Sequence, residues 1–195
     1  MTAAGWPDLA FAVTLGIALA ACAGLRAWLP LLMAGAAARL GWLELGASFE
    51  FLASGRALVL FGVASVVEIA ADKVPALDHL LDVISTVLRP AAGSLLAASV
   101  LWPVKDPLAA LALGVAVGAP TALAPHALKV MARAASTTFT AGFANPVISV
   151  VEDGLVIFLF VVAVVVPLLV VMGLATVMVL LYLRWRRRPA PVAAS

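Results

Sequence analysis

The sequence predicts an all-α polytopic integral membrane protein with about six to seven hydrophobic helices, some of them short, broken or re-entrant. Hydrophobic residues make up 65% of the 195 residues and charged residues only 11%, and the mean hydropathy is +1.18. A soluble domain of this size would have too few polar side chains to cover its surface. The apolar runs are continuous rather than alternating, which favours helices over a transmembrane barrel.

The chain length fits one membrane domain. At about 20 residues per crossing, the chain has room for these helices and for no separate soluble domain. We therefore expect residues 1–195 to form a single transmembrane domain.

In the first half, prolines and charged residues separate the apolar runs. Asp8 precedes a first helix over 9–25, and Pro30 starts a shorter segment that ends near residue 40 and has the length of a half-helix. The stretch 41–55 indicates an interfacial connection. A third helix is predicted over 56–72.

Two helices follow before the middle of the chain. Residues 76–88 have an apolar face and an opposite stripe that includes Asp78 and Asp82, which is typical of an interfacial or cavity-lining helix. Pro90 is predicted to end this helix and to separate it from a short apolar helix over 91–101.

In the second half of the chain, prolines and polar residues again separate apolar helices. A helix over 107–119 is predicted to break at two prolines, and a second one over 126–135 to lead into the polar stretch 136–145. The uncharged run 155–183 is longer than one crossing requires. Pro167 and Gly173 predict that it kinks or tilts.

The same tetrapeptide occurs once in each half. Residues 65–68 and 149–152 both read Ser-Val-Val-Glu, and the segments 15–18 and 113–116 are also similar. These landmarks recur in the same order, which predicts two related halves, 8–90 and 106–184. Internal repeats with proline-broken helices are typical of transporters.

The acids of these repeats are the best candidates for a site. A carboxylate at bilayer depth is costly and usually has a function. Hard cations take several oxygen ligands, and proton relays use buried acids. The sequence therefore predicts a substrate or ion site, of unknown metal preference, with seven members: Glu68, Asp72, Glu152, Asp153, Ser65, Ser149 and Asn145.

Two further interpretations remain open for the charged residues. The acids can instead lie at helix ends in the interface, where Lys73 or Arg89 would pair with them. His126, Lys129 and Arg133 indicate either an anion-binding cluster for phosphate or lipid headgroups or ordinary positive-inside charge. We prefer the second interpretation of the basic cluster.

The C-terminal residues 185–195 predict a basic tail. Four arginines follow the last apolar run, namely Arg184, Arg186, Arg187 and Arg188. By the positive-inside rule this end is cytoplasmic, and its juxtamembrane position argues against a nucleic-acid partner. Cys22 is the only cysteine, so we expect neither a disulfide framework nor a thiolate metal cluster.

No catalytic signature accompanies these features. The sequence has no His-Glu-x-x-His, no Gly-x-Ser-x-Gly and no phosphate-binding glycine-rich loop. We therefore expect no enzyme activity and no cofactor.

Three segments resemble the bacterial membrane proteins grouped as domain of unknown function 4126. They are 24–30 (GLRAWLP), 68–78 (EIAADKVPALD) and 137–153, which runs through Asn-Pro to Ser-Val-Val-Glu-Asp. The resemblance covers nearly the whole chain and implies a bacterial inner-membrane location, but no activity. A looser similarity joins Glu68 and Asp72 to cation exchangers with a Glu-x-Gly-Asp motif, in which the two acids are three residues apart rather than four.

The leading functional prediction is a small transporter or channel. Its acidic site would lie between the two repeats and be linked to a small cation or a proton. The alternative is a non-transporting structural or lipid-interacting membrane protein. The expected partners are the lipid bilayer and that cation or proton, and a homo-oligomer is compatible with the sequence.

Overall fold

The computed structural model describes residues 5–73, 75–140 and 143–186, and within these it leaves out the side chains of 75–83 and of Leu168. The described residues form seven α-helices and one 3-10 helix, with no strand among them. The helices are α1 (Trp6–Leu25), α2 (Trp28–Arg39), the 3-10 helix (Ala47–Ala53), α3 (Gly55–Ala71), α4 (Pro75–Ser99), α5 (Pro107–Thr140), α6 (Asn145–Val165) and α7 (Pro167–Arg186).

Four of these helices are long and apolar enough to cross a membrane. They are α1, α5, α6 and the part of α7 from Leu169 to Arg186. The 3-10 helix and α3 together give a fifth candidate span, bent by 59°. The chain is thus an all-helical protein with four to five candidate spans among its described residues.

The predicted helix breaks at three prolines are wrong. α4 continues through Pro90, and α5 continues through Pro120 and Pro125. A proline removes one backbone hydrogen bond, but in membrane helices nearby hydroxyl groups and close neighbours offset that loss. Ser94 and Thr121 lie close to these prolines, and each hydroxyl donates to a carbonyl four residues earlier in its own helix at 2.7 Å.

The uncharged run 155–183 is likewise divided between two helices. α6 ends at Val165, and Val166 leaves the helical conformation with φ −142° and ψ 75°. Pro167 then starts α7. The residue before a proline is disfavoured in the α region, so the expected kink is in fact a helix boundary.

Small residues bring α1, α4 and α5 into close contact. A Cβ atom at Gly24 would collide with the carbonyl oxygen of Ala122, and one at Gly118 would collide with the backbone of Gly93. The second half of α1, from Ala18 to Leu25, is buried throughout. Such close approach of small residues is a main source of helix association in membranes, and it makes α1 the central helix.

We expect Gly118→Leu to destabilise the protein, because its side chain has no space against Gly93. Overpacking of this kind lowers the free energy of unfolding by about 1–3 kcal/mol. Gly62→Leu is the matched control, since the nearest atom to a Cβ there is 4.0 Å away on a flexible leucine. Thermal unfolding in detergent compares the two variants, and equal melting temperatures would contradict the packing described above.

Candidate functional site

A buried arginine lies at the break between α1 and α2. Arg26 has an extended backbone, with φ −137° and ψ 128°, and its side chain is fully buried. An arginine in an apolar bundle must be paired and hydrogen-bonded. Its Nη1 bonds to Oδ2 of Asp72, at the end of α3. Its Nη2 lies 2.9 Å from the Ser149 hydroxyl and 2.7 Å from Oδ1 of Asp153, both on α6.

Two further basic side chains come from α5. Lys129 and Arg133 are one turn apart and each only 3% exposed. Lys129 Nζ lies 2.8 Å from Oδ2 of Asp72 and 3.0 Å from Oε2 of Glu152. Arg133 Nη2 lies 3.0 Å and 3.4 Å from the same two oxygens. One oxygen of Asp72 therefore faces three basic groups, and Lys129 and Arg133 are each shared between two acids.

Lys73 completes the cluster at its more accessible edge. Its Nζ lies 3.2 Å from Oδ2 of Asp153. We call the following seven side chains the ion-pair network: Arg26, Asp72, Lys73, Lys129, Arg133, Glu152 and Asp153.

Glu68 lies beside the network and has a different role. Its two carboxylate oxygens accept from the backbone N–H groups of Ala27 at 3.0 Å and Trp28 at 3.2 Å. These are free amides at the start of α2, and a negative charge there also favours the helix dipole. Glu68 thus fixes the first turn of the short helix that follows Arg26.

Arg89 and His126 form a neighbouring pair. Arg89 is fully buried on α4 and donates to the carbonyl of Gly24 at 3.3 Å and to Nδ1 of His126 at 2.6 Å. Since arginine has no acceptor, Nδ1 accepts. The proton of the neutral ring is then on Nε2, which lies 3.3 Å from the hydroxyl of Thr86.

Five of the seven residues predicted from the sequence lie in the network or next to it. Contacts with Arg26, Lys129 or Arg133 are made by Asp72, Glu152, Asp153 and Ser149, and Glu68 accepts from the backbone N–H of Ala27, which follows Arg26. Ser65 donates to the carbonyl of Phe61 in its own helix, at 2.7 Å. Asn145 is 7% exposed, and its Oδ1 has no hydrogen-bond partner within the part of the chain that is described.

Sequence reasoning missed the basic half of the network. Arg26 interrupts an apolar run, and Lys129 and Arg133 are four residues apart on an apolar helix. The preferred interpretation, positive-inside charge, places Lys129 and Arg133 at the membrane surface, whereas the structure buries both side chains. The stripe of Asp78 and Asp82 and the tail residues 187–195 lie outside the described side chains.

Among the described residues, no group of three or more His, Cys, Asp or Glu side chains is arranged to hold a metal ion. The carboxylates of the network instead face ammonium and guanidinium groups. A bare cation would have to displace a side chain already in place.

An apolar cavity of about 800 Å³ leads to the network. It lies between α1, α5, α6 and α7, and the charged side chains on its wall are Lys129 and Glu152. The exposed positions of Val151 and Phe158 on the same wall indicate that it opens on the flank that would face lipid.

These features define a multi-pass helical membrane protein with a buried charge network at a helix break. The model of the family described as domain of unknown function 4126 matches residues 13–187, and the chain belongs to that family. A search of curated proteins and a search of solved structures each found no match.

We expect Arg26→Met to lower the free energy of unfolding by about 3–5 kcal/mol, because removing one partner of a buried pair leaves uncompensated charge. Arg39→Met is the matched control, since Arg39 is exposed at the end of α2. Denaturation in detergent measures both. Similar losses in the two variants would contradict a structural role for Arg26.

We expect Glu68→Gln to destabilise α2 by about 1 kcal/mol, because the neutral amide loses the interaction with the helix dipole and one of two acceptor oxygens. Glu50→Gln changes an exposed acid and should have little effect. Hydrogen exchange at Ala27 and Trp28 reports the change locally. Unaltered protection of both amides would show that Glu68 does not cap α2.

Proposed function

We propose that this protein is a small transporter that moves an anion together with a proton through the ion-pair network. The observation that supports this most directly is the sharing of Lys129 and Arg133 between Asp72 and Glu152. Because each of these two side chains already donates to two carboxylates, it can redirect a hydrogen bond to a third acceptor with little movement. A site beside a helix break is also typical of transporters.

The contacts favour an anionic over a cationic ligand. Each acid of the network has at least one basic partner within 3.4 Å. A small cation would have to displace one of these basic groups. An anion would be attracted to Lys129 and Arg133, which form charge-assisted hydrogen bonds to acidic oxygens.

The proton follows from the position of Glu152. Its basic partners in the described structure are Lys129 and Arg133, whereas Asp72 also bonds to Arg26. When an incoming anion takes both donors, Glu152 loses its two basic partners of the described structure. We propose that its carboxylate carries the proton, so that one anion and one proton enter together.

The proposal also covers the origin, the membrane orientation and the assembly of the protein. The two Ser-Val-Val-Glu segments support an origin from two related halves, 8–90 and 106–184. Arg184 and Arg186 at the end of α7 support a cytoplasmic C-terminus in a bacterial inner membrane. We also propose that the protein is not an enzyme and that it forms a homo-oligomer.

Flux in proteoliposomes tests the proposal. We expect external addition of a permanently charged anion, chosen from a panel of alkyl sulfonates and lysophospholipids, to acidify a lumen that contains a pH-sensitive dye. Glu152→Gln should abolish acidification, because the amide cannot carry the proton. Glu50→Gln, at an exposed site, should retain it.

Two results would decide against this proposal. If no anion of the panel acidifies the lumen with the wild-type protein, the non-transporting structural alternative is favoured. If Glu152→Gln acidifies the lumen as fast as wild type, Glu152 is not the proton carrier.

A further inference from the structure

The apolar cavity reaches the network at the carboxylate of Glu152. Lys129 and Glu152 are the charged residues of its described wall, but the Lys129 side chain is 0% exposed and the Glu152 side chain 8% exposed. The two groups pair with each other at 3.0 Å, so the described charges of the wall balance. A ligand in the cavity therefore meets the carboxylate rather than the ammonium group.

One oxygen of this carboxylate is still available as an acceptor. The ion pairs of Glu152 with Lys129 and Arg133 are made by Oε2. Within the described residues, no hydrogen bond or ion pair joins Oε1 to another protein group. Oε1 is also not one of the described polar atoms that are both fully buried and without a hydrogen bond, so a small group can reach it. Because an ionised carboxylate only accepts hydrogen bonds, that group must be a donor.

The balanced wall selects a neutral donor. From this side an ammonium head would approach the neighbouring Lys129, and a phosphate or carboxylate head would lie against Glu152. A charge without a partner in apolar surroundings is costly. A hydroxyl group adds no charge, and its hydrogen bond to a carboxylate is stronger than one between two neutral groups. Phosphatidylcholine has no N–H or O–H donor and cannot make this bond.

The remainder of the cavity suits one apolar chain. Its volume of about 800 Å³ is within the range of about 300–1,000 Å³ seen for small-molecule pockets. Its α6 wall extends from Glu152 to Val162, which is about 15 Å at 1.5 Å per residue, and α7 lines the same space at Gly173. Val151 and Phe158 on the wall are exposed, so the chain can enter from the bilayer flank.

We propose that the cavity is a binding site for a neutral single-chain lipid alcohol. Its hydroxyl donates to Oε1 of Glu152, and its chain lies along α6 and α7. Monoacylglycerol is a simple lipid of this class. The site goes beyond the transport proposal, because it requires only the cavity and the available oxygen and not the movement of an anion.

Two glycines offer a matched pair of variants. Gly173 lines the cavity, whereas Gly154 is not part of its described wall, and a Cβ atom at either position has no neighbour within 4 Å. Both glycines lie inside helices, α7 and α6. Gly173→Leu therefore fills the path of the chain, and Gly154→Leu adds the same side chain elsewhere.

Binding is measured with the full chain in nanodiscs of phosphatidylcholine, with radiolabelled monooleoylglycerol as the probe. We expect saturable binding of one lipid per chain in the wild type and in Gly154→Leu, and at least tenfold weaker binding in Gly173→Leu. Methyl oleate, which has the same chain without a hydroxyl, should compete at least tenfold less well than unlabelled monooleoylglycerol. The same is expected of oleylamine and of oleoyl lysophosphatidylglycerol, whose heads are charged.

Glu152→Gln tests which residue recognises the hydroxyl. The amide keeps an acceptor oxygen but loses the negative charge, so the preference for monooleoylglycerol over methyl oleate should fall severalfold. Glu50→Gln, at an exposed site, should keep the full preference. An unchanged preference in folded Glu152→Gln would contradict the assignment of the hydroxyl to Glu152.

Four other results would overturn the inference. Non-saturable uptake would show that the cavity holds ordinary bilayer lipid only, and equal competition by methyl oleate would show that no donor is recognised. Equal binding by the two glycine variants would place the lipid elsewhere, and stronger competition by either charged lipid would show selection for charge. The assay measures no flux, so a failure of the transport proposal does not affect it, and a failure to bind lipid leaves that proposal intact.

Discussion

The rest of the structure depends on the burial of Arg26 between α1 and α2. An arginine side chain stays charged inside proteins, so the surrounding elements must supply acceptors. Asp72 and Asp153 supply them from the end of α3 and from α6. The positions of three segments that are distant in sequence therefore follow from one guanidinium group.

Buried ion pairs are weak evidence for stability, because the desolvation of the charges offsets most of their attraction. A network kept only for packing is best when each donor has its own acceptor. Here Lys129 and Arg133 each contact both Asp72 and Glu152, and an apolar cavity reaches Lys129 and Glu152. Shared donors next to an accessible space are more consistent with exchange of partners than with a fixed support.

The sequence predicts the all-helical fold with membrane-spanning helices, and for the same reason it draws attention to the acids. Apolar composition identifies membrane helices, and an acid such as Glu152 is conspicuous within them. The partners were harder to recognise, because Lys129 and Arg133 have the same local sequence pattern whether they face the membrane surface or the bundle. The predicted helix boundaries are wrong where tertiary packing overrides a local signal, as at Pro90, which lies within α4. Only tertiary contacts distinguish these cases.

The two copies of Ser-Val-Val-Glu show how similar sequence can lead to different chemistry. Glu68 accepts from backbone amides of α2, and those donors cannot move away without unwinding the helix. Glu152 lies against Lys129 and Arg133, whose long side chains can turn toward another acceptor by rotation alone. The first carboxylate is therefore suited to holding the helix break in place, and the second to exchanging its partners. The exchange proposed for Glu152 requires that the helix break beside it stay fixed.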